Sequence, residues 1–482
     1  MVYIILQILF YGKFYLLISL LIILLPLGKY SFKYFYLKEI AMKNLKSFYL
    51  PLFFSTIIII IYIMVKPYSQ YTSKLSFTDN IDCKDELTFY IASDIHYLSN
   101  KLTDYGPAFN KFNKSGDGKQ IEHINDIVNQ FSKEVKVNKP DFLILSGDLT
   151  LNGEKQSHLD LSEKLSEIKA SGVDIYVIPG NHDINNPWAR EFKGESMLKT
   201  DYISKEDFID IYKDFGFNDA ISKDKASLSY LLAPSDNLYI LMLDDNLYEN
   251  NISMNYPEVN GFISKETLKW INHCGKLAKD NSAKIIAVSH HNITNHSNYI
   301  YDGFTIDNND EILSAFKKND ITLCFSGHIH FQSINDATLD NHIVKDIATS
   351  SLAMYPQKYG VAKFSKDNSL SYATSSVDMN KINSSFKSAS RKAFIKFVYN
   401  QNFNGLSYCN DYTSEEIKSM CETVCNIRLK YNDDSESISW DEIVSSNGFN
   451  LLKTSSSPFI KHYIDIALNS TQNNHNSLKI QL

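Results

Sequence analysis

Five short polar motifs carry residues of the kinds that bind metal ions. In chain order they are Asp94-Ile95-His96, Gly147-Asp148, Gly180-Asn181-His182-Asp183, His290-His291 and Gly327-His328-Ile329-His330. Their carboxylate, amide and imidazole groups form the mixed oxygen and nitrogen ligand set that several transition metals accept. Two divalent ions held by such groups can neutralise a phosphoryl group, activate water and stabilise a leaving oxygen. The motifs therefore indicate a hydrolase of phosphate esters.

A short apolar run precedes each motif. The runs are residues 89–92, 142–145, 173–178, 285–288 and 321–325. Such runs, when polar turns bound them, are typical of buried strands. Because ligands of α/β folds usually bind at the carboxyl ends of the strands, the five motifs predict one active site at that edge.

Amphipathic segments separate the apolar runs from about residue 87 to residue 377. Helices are predicted over residues 121–135, 159–170, 206–215 and 265–278. A hairpin is predicted where the apolar segments 228–232 and 238–243 flank the turn-forming residues 234–237. This alternation predicts an α/β domain, built either on one mixed sheet or as a two-sheet sandwich with outer helices.

The chain after about residue 380 has the spacing of apolar residues that is typical of helices. Helices are predicted over residues 382–400, 414–431 and 459–468, and Thr413 with Glu416 forms a capping signal for the second of them. The polar tail from Asn469 is expected to fray. We expect three regions: a membrane anchor and linker over 1–75, a catalytic domain over 76–378 and a helical C-terminal domain over 379–482.

The first 66 residues have the composition of a membrane anchor. Residues 48–65 carry no charge, and their number falls within the range of about 17–25 that spans a bilayer as a helix. A second apolar stretch, residues 2–27, is interrupted by Lys13, so one or two transmembrane helices are expected. The loop between the two stretches contains Lys29, Lys33, Lys38, Lys43 and Lys46. The positive-inside rule places this loop in the cytoplasm and the catalytic domain outside the cell membrane.

An alternative begins translation at Met42. Residues 43–65 would then form a signal sequence, with Lys43 and Lys46 before its apolar core. No Ala-x-Ala pattern follows this core, which favours an uncleaved anchor. Under both interpretations the large domain is exported.

The charge balance argues against one class of partner. The formal net charge is −7 and the sequence pI is about 6.0, so the basic surface of a nucleic-acid-binding protein is not expected. A small phosphodiester and the membrane are the partners that we expect, and no nucleic-acid polymer.

The five motifs, in this order and spacing, resemble those of the calcineurin-like metallophosphoesterases. The resemblance covers about residues 87–377. It implies the four-layer α/β sandwich of that family and two divalent metal ions, Mn, Fe or Zn, as cofactors. The family pattern assigns Asp94, His96 and His330 to the first ion, Asp148 to a bridge between the ions, and Asn181, His290 and His328 to the second ion.

The same resemblance implies roles for other residues around the metals. His182 would donate a proton to the leaving group or stabilise the oxyanion, and Asp183 would orient His182. Because the first histidine of a pair is usually the ligand in this family, His290 is chosen as the ligand and His291 is expected to border the substrate. Tyr97 and Arg190 are also expected to face the cleft, with Arg190 on a phosphate; a surface ion pair is the alternative for Arg190.

Longer stretches are similar to the exported class III cyclic-nucleotide phosphodiesterase-like proteins of Gram-positive bacteria. These stretches are residues 147–154, residues 180–190, the insertion 102–120 and the helical C-terminal extension. The similarity implies hydrolysis of small phosphodiesters, most of all cyclic nucleotides, at the outer face of the membrane. The alternatives are a phosphomonoesterase or glycerophosphodiesterase of envelope components and a non-catalytic wall-binding protein.

Overall fold

A computed structural model describes residues 86–299, 301–407, 412–433, 435–471 and 473–482. The expected membrane anchor, with its two apolar stretches and its lysine-rich loop, lies outside the described residues. Among the helices of the described residues, none combines the length and the apolar composition that crossing a bilayer requires.

The strands of the described residues form two large sheets and one small one. In chain order the strands are β1 (Glu86–Ala92), β2 (Phe142–Ser146), β3 (Asp174–Ile178), β4 (Arg190–Lys193), β5 (Ser196–Lys199), β6 (Ser222–Lys223), β7 (Tyr230–Ser235), β8 (Leu238–Met242), β9 (Lys284–Val288), β10 (Leu323–Ser326), β11 (Ser333–Leu339), β12 (His342–Ala348), β13 (Lys358–Ser365), β14 (Ser369–Ser376) and β15 (Ser477–Gln481). The six-stranded sheet has the order β15-β14-β13-β1-β2-β3, and the seven-stranded sheet has the order β11-β12-β10-β9-β8-β7-β6. Strands β4 and β5 form a separate two-stranded sheet.

The α-helices of the described residues fall before, between and after these strands. They are α1 (Pro107–Ser115), α2 (Ile124–Asn138), α3 (Lys155–Ala170), α4 (Lys205–Tyr212), α5 (Asn251–Met254), α6 (Lys265–Asp280), α7 (Asn309–Lys318), α8 (Phe386–Ser407), α9 (Ser414–Asn432), α10 (Trp440–Ser445), α11 (Asn447–Leu452) and α12 (Pro458–Ser470).

The two large sheets pack face to face between outer helices. Phe89 of β1 lies edge-on to Phe325 of β10 in the other sheet, with ring centroids 6.1 Å apart. Its neighbour Tyr90 points to the opposite face, where Tyr359 packs against Phe131 of α2. On the seven-stranded sheet, α6 and α7 cover the outer face. Successive residues of β1 thus point alternately into the core between the sheets and into the core between sheet and helices. Of the two predicted architectures, the structure is the two-sheet sandwich and not the single mixed sheet.

The sequence predicted the elements that lead to the polar motifs. All five apolar runs are strands, namely β1, β2, β3, β9 and β10, and the four expected helices are present as α2, α3, α4 and α6. The predicted hairpin is β7 and β8, and its register shifts between Leu232 and Ser235, beside Pro234. A proline donates no backbone hydrogen bond, so a break in the ladder is where a strand tolerates it.

The expectation for the end of the chain is wrong in part. The three expected C-terminal helices are α8, α9 and α12, and Thr413 with Glu416 forms the capping box at α9. The tail does not fray throughout, because β15 pairs antiparallel with β14 over residues 477–481. Leu478 and Ile480 are half-buried and alternate with the exposed Lys479, so this short segment has the two-residue period of an edge strand.

Candidate dinuclear metal site

Residues of all five motifs meet where β1, β2, β3, β9 and β10 end. Asp94, His96, Asp148 and His330 form one group in which each residue has a ligand atom within 4.8 Å of the others. Asp148, His290 and His328 form a second such group. The Asp148 carboxylate belongs to both groups, which is the position that a residue bridging two metal ions would occupy.

The first group is built from side chains whose ligand atoms nearly touch. The Nε2 atoms of His96 and His330 are 3.0 Å apart. Asp94 Oδ1 lies 3.3 Å from His330 Nε2, and Asp148 Oδ2 lies 3.6 Å from His96 Nε2. Asp94, His96 and Asp148 are buried, with at most 1% of each residue exposed.

The second group includes Asn181 as well. His290 Nε2 lies 3.5 Å from Asp148 Oδ1 and 3.2 Å from Asn181 Oδ1. His290 Nδ1 donates to the Ser146 carbonyl at 2.9 Å, which leaves a lone pair on Nε2 in the neutral ring. His328 Nε2 donates to the Gly303 carbonyl at 2.8 Å, and its Nδ1 is then the free ligand atom.

This donor set fits divalent cations. In the neutral state of His290, three lone-pair carriers face one another: His290 Nε2, Asn181 Oδ1 and Asp148 Oδ1. Acceptors that converge in a protein interior repel one another unless a cation or a donated proton lies between them. In the first group, the Nε2 lone pairs of His96 and His330 would repel each other in the same way when both rings carry their proton on Nδ1. The residues therefore match a pair of bound divalent ions.

The backbone at these residues is strained. Five of the predicted ligands have positive φ: Asp94 at 51°, His96 at 48°, Asp148 at 49°, His328 at 67° and His330 at 62°. A left-handed conformation costs a residue with a side chain about 1–2 kcal/mol, and such strain concentrates at functional sites. The turns also approach closely, because a Cβ atom at Gly180 would overlap the Asp148 carboxylate.

The pKa values of the ligand histidines are shifted in different directions: those of His96 and His328 are lowered, and that of His290 is raised. Burial lowers the pKa of His96 well below its usual value, and the nearby Lys119 lowers it further. The pKa of His328 is likewise well below normal, through burial and the neighbouring His291. For His290, burial acts to lower the pKa, but the carboxylates of Asp148 and Asp94 outweigh it and raise the pKa. A proton and a metal ion thus compete most directly for His290.

His182 stands beside the ligand groups without belonging to either. Its backbone N–H donates to Asp148 Oδ1 at 2.9 Å, and its ring lies 5.1 Å from that of His96. Its Nδ1 donates to the Leu151 carbonyl at 2.9 Å and lies 3.1 Å from Asn152 Oδ1. Burial lowers the pKa of His182, although Asp148 acts to raise it.

The expected role of Asp183 is corrected by the structure. Its carboxylate accepts from the backbone N–H groups of Leu149, Thr150 and Gly180 at 2.8–3.0 Å. It does not orient the His182 ring, which the Leu151 carbonyl holds instead. Burial, with the nearby Asp148, raises the pKa of Asp183 to about 7. Asp183 therefore ties the second and third motifs together rather than acting at the reaction centre.

Two expected substrate contacts are also corrected. Tyr97 is 2% exposed, and its hydroxyl donates to Asn125 at 3.2 Å, so it belongs to the core. His291 is buried, with Nδ1 at 3.0 Å from Asp245 and Nε2 at 2.9 Å from the Val259 carbonyl. For Arg190, Nη1 donates to the Pro187 and Ala189 carbonyls at 2.8 and 2.7 Å, and its contact with a phosphate stays a prediction.

Two cavities adjoin the candidate ligands, and the sequence did not predict most of their walls. One, of about 290 Å³, is lined by His182, Lys119 and Trp188 among others. The other, of about 300 Å³, extends from His328 and His330 to residues of α8, α9 and α12. Asp117 lines both and lies 2.8 Å from Lys119. Asp117 and Lys119 belong to the insertion 102–120 that the resemblance singled out, but no motif marked the wall that the C-terminal helices supply.

Two family models match the chain. Residues 87–332 match the model described as calcineurin-like phosphoesterase. Residues 370–474 match the model described as the C-terminal domain of cyclic nucleotide phosphodiesterase. No curated protein matches the chain.

Solved structures show more distant similarity. A dimetal phosphatase from Danio rerio is 13% identical with a TM-score of 0.43, over 60% of this chain and 95% of that one. GAP50, the anchor in the inner membrane complex of Plasmodium, is 14% identical with a TM-score of 0.36, over 61% and 86% of the two chains. The protein TT1561 of Thermus thermophilus is 9% identical with a TM-score of 0.31, over 60% and 99%.

The shared position of Asp148 generates a prediction about metal content. The purified full-length chain should hold two divalent ions, and Asp148→Ala should lose most of both, because both ligand groups depend on this carboxylate. Elemental analysis by mass spectrometry after dialysis measures the ions per chain. Asp280→Ala, which removes an exposed carboxylate from α6, is the matched control and should keep both ions. Full metal content in Asp148→Ala would contradict the bridging position.

Proposed function

The chain belongs to the calcineurin-like phosphoesterase family, and we propose that it hydrolyses phosphodiester bonds of small molecules, most of all cyclic nucleotides. It is a metal-dependent phosphoric ester hydrolase. The observation that carries the finer proposal is the helical region, which contains the C-terminal helices α8 to α12. This region matches the C-terminal domain of cyclic nucleotide phosphodiesterase, and it forms one wall of the cavity that begins at His328 and His330.

The chain's own residues support hydrolysis in distinct ways. When bound, the divalent ions would supply Lewis acidity and lower the pKa of water. Asp94, His96, Asp148 and His330 would hold one ion, and Asp148, Asn181, His290 and His328 the other. His182 is fixed by the Leu151 carbonyl at Nδ1, and its Nε2 has no hydrogen-bond partner among the described residues. A protonated His182 can therefore give a proton from Nε2 to the leaving oxygen.

Beyond the divalent ions, the side-chain charges of the described residues near His182 offer the second negative charge of a monoester no additional compensation. A monoester carries up to two negative charges, and a diester carries one. Lys119 is the cation of the cavity beside His182, and the Asp117 carboxylate 2.8 Å away already pairs with it. The extra charge of a monoester therefore finds no unpaired cation in this cavity wall among the described residues.

We also propose that the catalytic domain lies at the outer face of the cell membrane. The support is the sequence: residues 48–65 carry no charge, and the loop before them holds five lysines. Protease added to intact cells should then cleave the catalytic domain and spare residues 29–46, as peptide mapping measures. Permeabilised cells are the control, in which both should be cleaved. Protection of the catalytic domain in intact cells would reverse the orientation.

A substrate panel tests the proposed activity. The full-length chain should hydrolyse bis-p-nitrophenyl phosphate and cyclic nucleotides with higher kcat/KM than p-nitrophenyl phosphate, because the cavity compensates one negative charge better than two. Release of nitrophenolate and chromatography of the nucleotide products measure the rates. Faster turnover of the monoester would favour a phosphomonoesterase instead.

The role of His182 can be tested through the leaving group. General acid catalysis contributes about 10²–10⁴-fold, and its contribution shrinks as the leaving oxygen becomes a weaker base. His182→Ala should keep both metal ions, lose most of its rate on a cyclic nucleotide and lose less on a nitrophenyl ester. Equal losses on the two esters would indicate stabilisation of phosphoryl charge instead. Loss of metal would indicate a structural role.

A further inference from the structure

The cavity between the candidate ligands and the helical region contains an arginine whose Nε lacks an acceptor among the described residues. The chain has three arginines: Arg190, Arg391 and Arg428. Arg190 donates to two backbone carbonyls, and Arg391 makes two bonds of 2.6 and 2.7 Å to the Glu436 carboxylate. Arg428 of α9 lines the cavity, and it is the one whose buried Nε is unpartnered in the described part of the chain. The guanidinium of Arg428 therefore lies at the cavity wall with hydrogen-bonding capacity that no described residue uses.

Aromatic rings hold this guanidinium in place. Arg428 Cζ lies 5.7 Å from the ring centroid of Phe331 and 5.8 Å from that of Phe394. Contacts of this kind attract a cation without using its hydrogen-bond donors. Phe331 directly follows the candidate ligand His330, and its ring lies 5.7 Å from that of Tyr431. The position of Arg428 is thus tied to the turn that carries the ligands.

The lining of the cavity indicates what would bind there. Its aromatic members are Phe304, Phe331, Phe397, Phe459 and Tyr463. Aromatic faces bind planar, uncharged rings by stacking. Asp117 lines the same cavity and is paired with Lys119 at 2.8 Å, so the aromatic faces and the Arg428 guanidinium are what the cavity offers a ligand. A heteroaromatic base with acceptor atoms on its edge fits these walls.

We propose that this cavity binds the base of a nucleotide diester and that Arg428 selects guanine by donating to its O6 and N7 acceptors. The fork of a guanidinium matches these two adjacent acceptors, whereas adenine presents one acceptor and one donor at the same edge. The proposal rests on the proposed phosphodiesterase function. It adds a specificity-determining residue outside the catalytic motifs, on a helix that is distant from them in sequence.

Kinetics of Arg428 variants test the proposal in the full-length chain. The wild type should prefer cyclic GMP to cyclic AMP in kcat/KM by roughly 5- to 100-fold, the range of one good bidentate contact. Arg428→Lys keeps the charge but not the fork, and should bring the kcat/KM values of the two cyclic nucleotides close to parity; their ratio, relative to the rate on bis-p-nitrophenyl phosphate, is the measurement. Arg428→Gln should behave in the same way. Lys418→Gln, which removes an exposed charge from the same helix, is the control and should keep the preference.

Inhibition by nucleosides separates this proposal from the proposed function. Guanosine should inhibit hydrolysis of bis-p-nitrophenyl phosphate more strongly than adenosine does, and Arg428→Lys should remove that difference. If cyclic nucleotides are not hydrolysed but guanosine still inhibits through Arg428, the proposed function fails and base recognition stands. No preference for guanine in either assay, or equal loss on all substrates in Arg428→Lys, would overturn the role of Arg428.

Discussion

The Asp148 carboxylate is buried where two groups of metal ligands meet, and its negative charge constrains the surrounding structure. A buried carboxylate is costly unless hydrogen bonds or cations compensate it. Here the His182 N–H donates to it at 2.9 Å, and the Nε2 atoms of His96 and His290 lie 3.6 and 3.5 Å away. These contacts require the strand ends to approach closely. The left-handed backbone conformation of Asp148 and the absence of a side chain at Gly180 allow the two turns to come this close.

The helical region depends on the same turns. Phe331 follows a candidate ligand and packs against Tyr431 and His462 of the C-terminal helices. Tyr355 belongs to the same hydrophobic cluster as Phe331, and its hydroxyl donates to Asp433 and Glu436 at 3.2 and 3.1 Å. The candidate metal site and the wall of the cavity beside it therefore share one packed segment. A change in the ligand turn would be transmitted to that wall through these side chains.

The sequence predicted those parts of the structure that a local pattern encodes. Apolar runs with polar ends predicted the strands and the convergence of the metal-binding residues, because chain direction fixes which edge of the sheet they reach. Nearness to a ligand in sequence did not predict side-chain direction: Asp183, His291 and Tyr97 lie within two residues of ligands and point into the protein. No sequence motif marks Arg428 as a cavity residue, because its position there depends on how α9 packs. Strand β15 is too short for its two-residue period to stand out.

Along the chain, the helical region follows β14 and precedes β15. These two strands pair with each other in the six-stranded sheet. Both of its ends are therefore anchored in the sheet, and a hinge motion would have to break that pairing. The edge of the sheet is also completed only after all the helices have been synthesised. Contacts between segments so distant along the chain form late and slowly. During biosynthesis the β14 edge stays exposed until then, and an unpaired edge can recruit another chain. Association between nascent copies is thus a hazard of this topology.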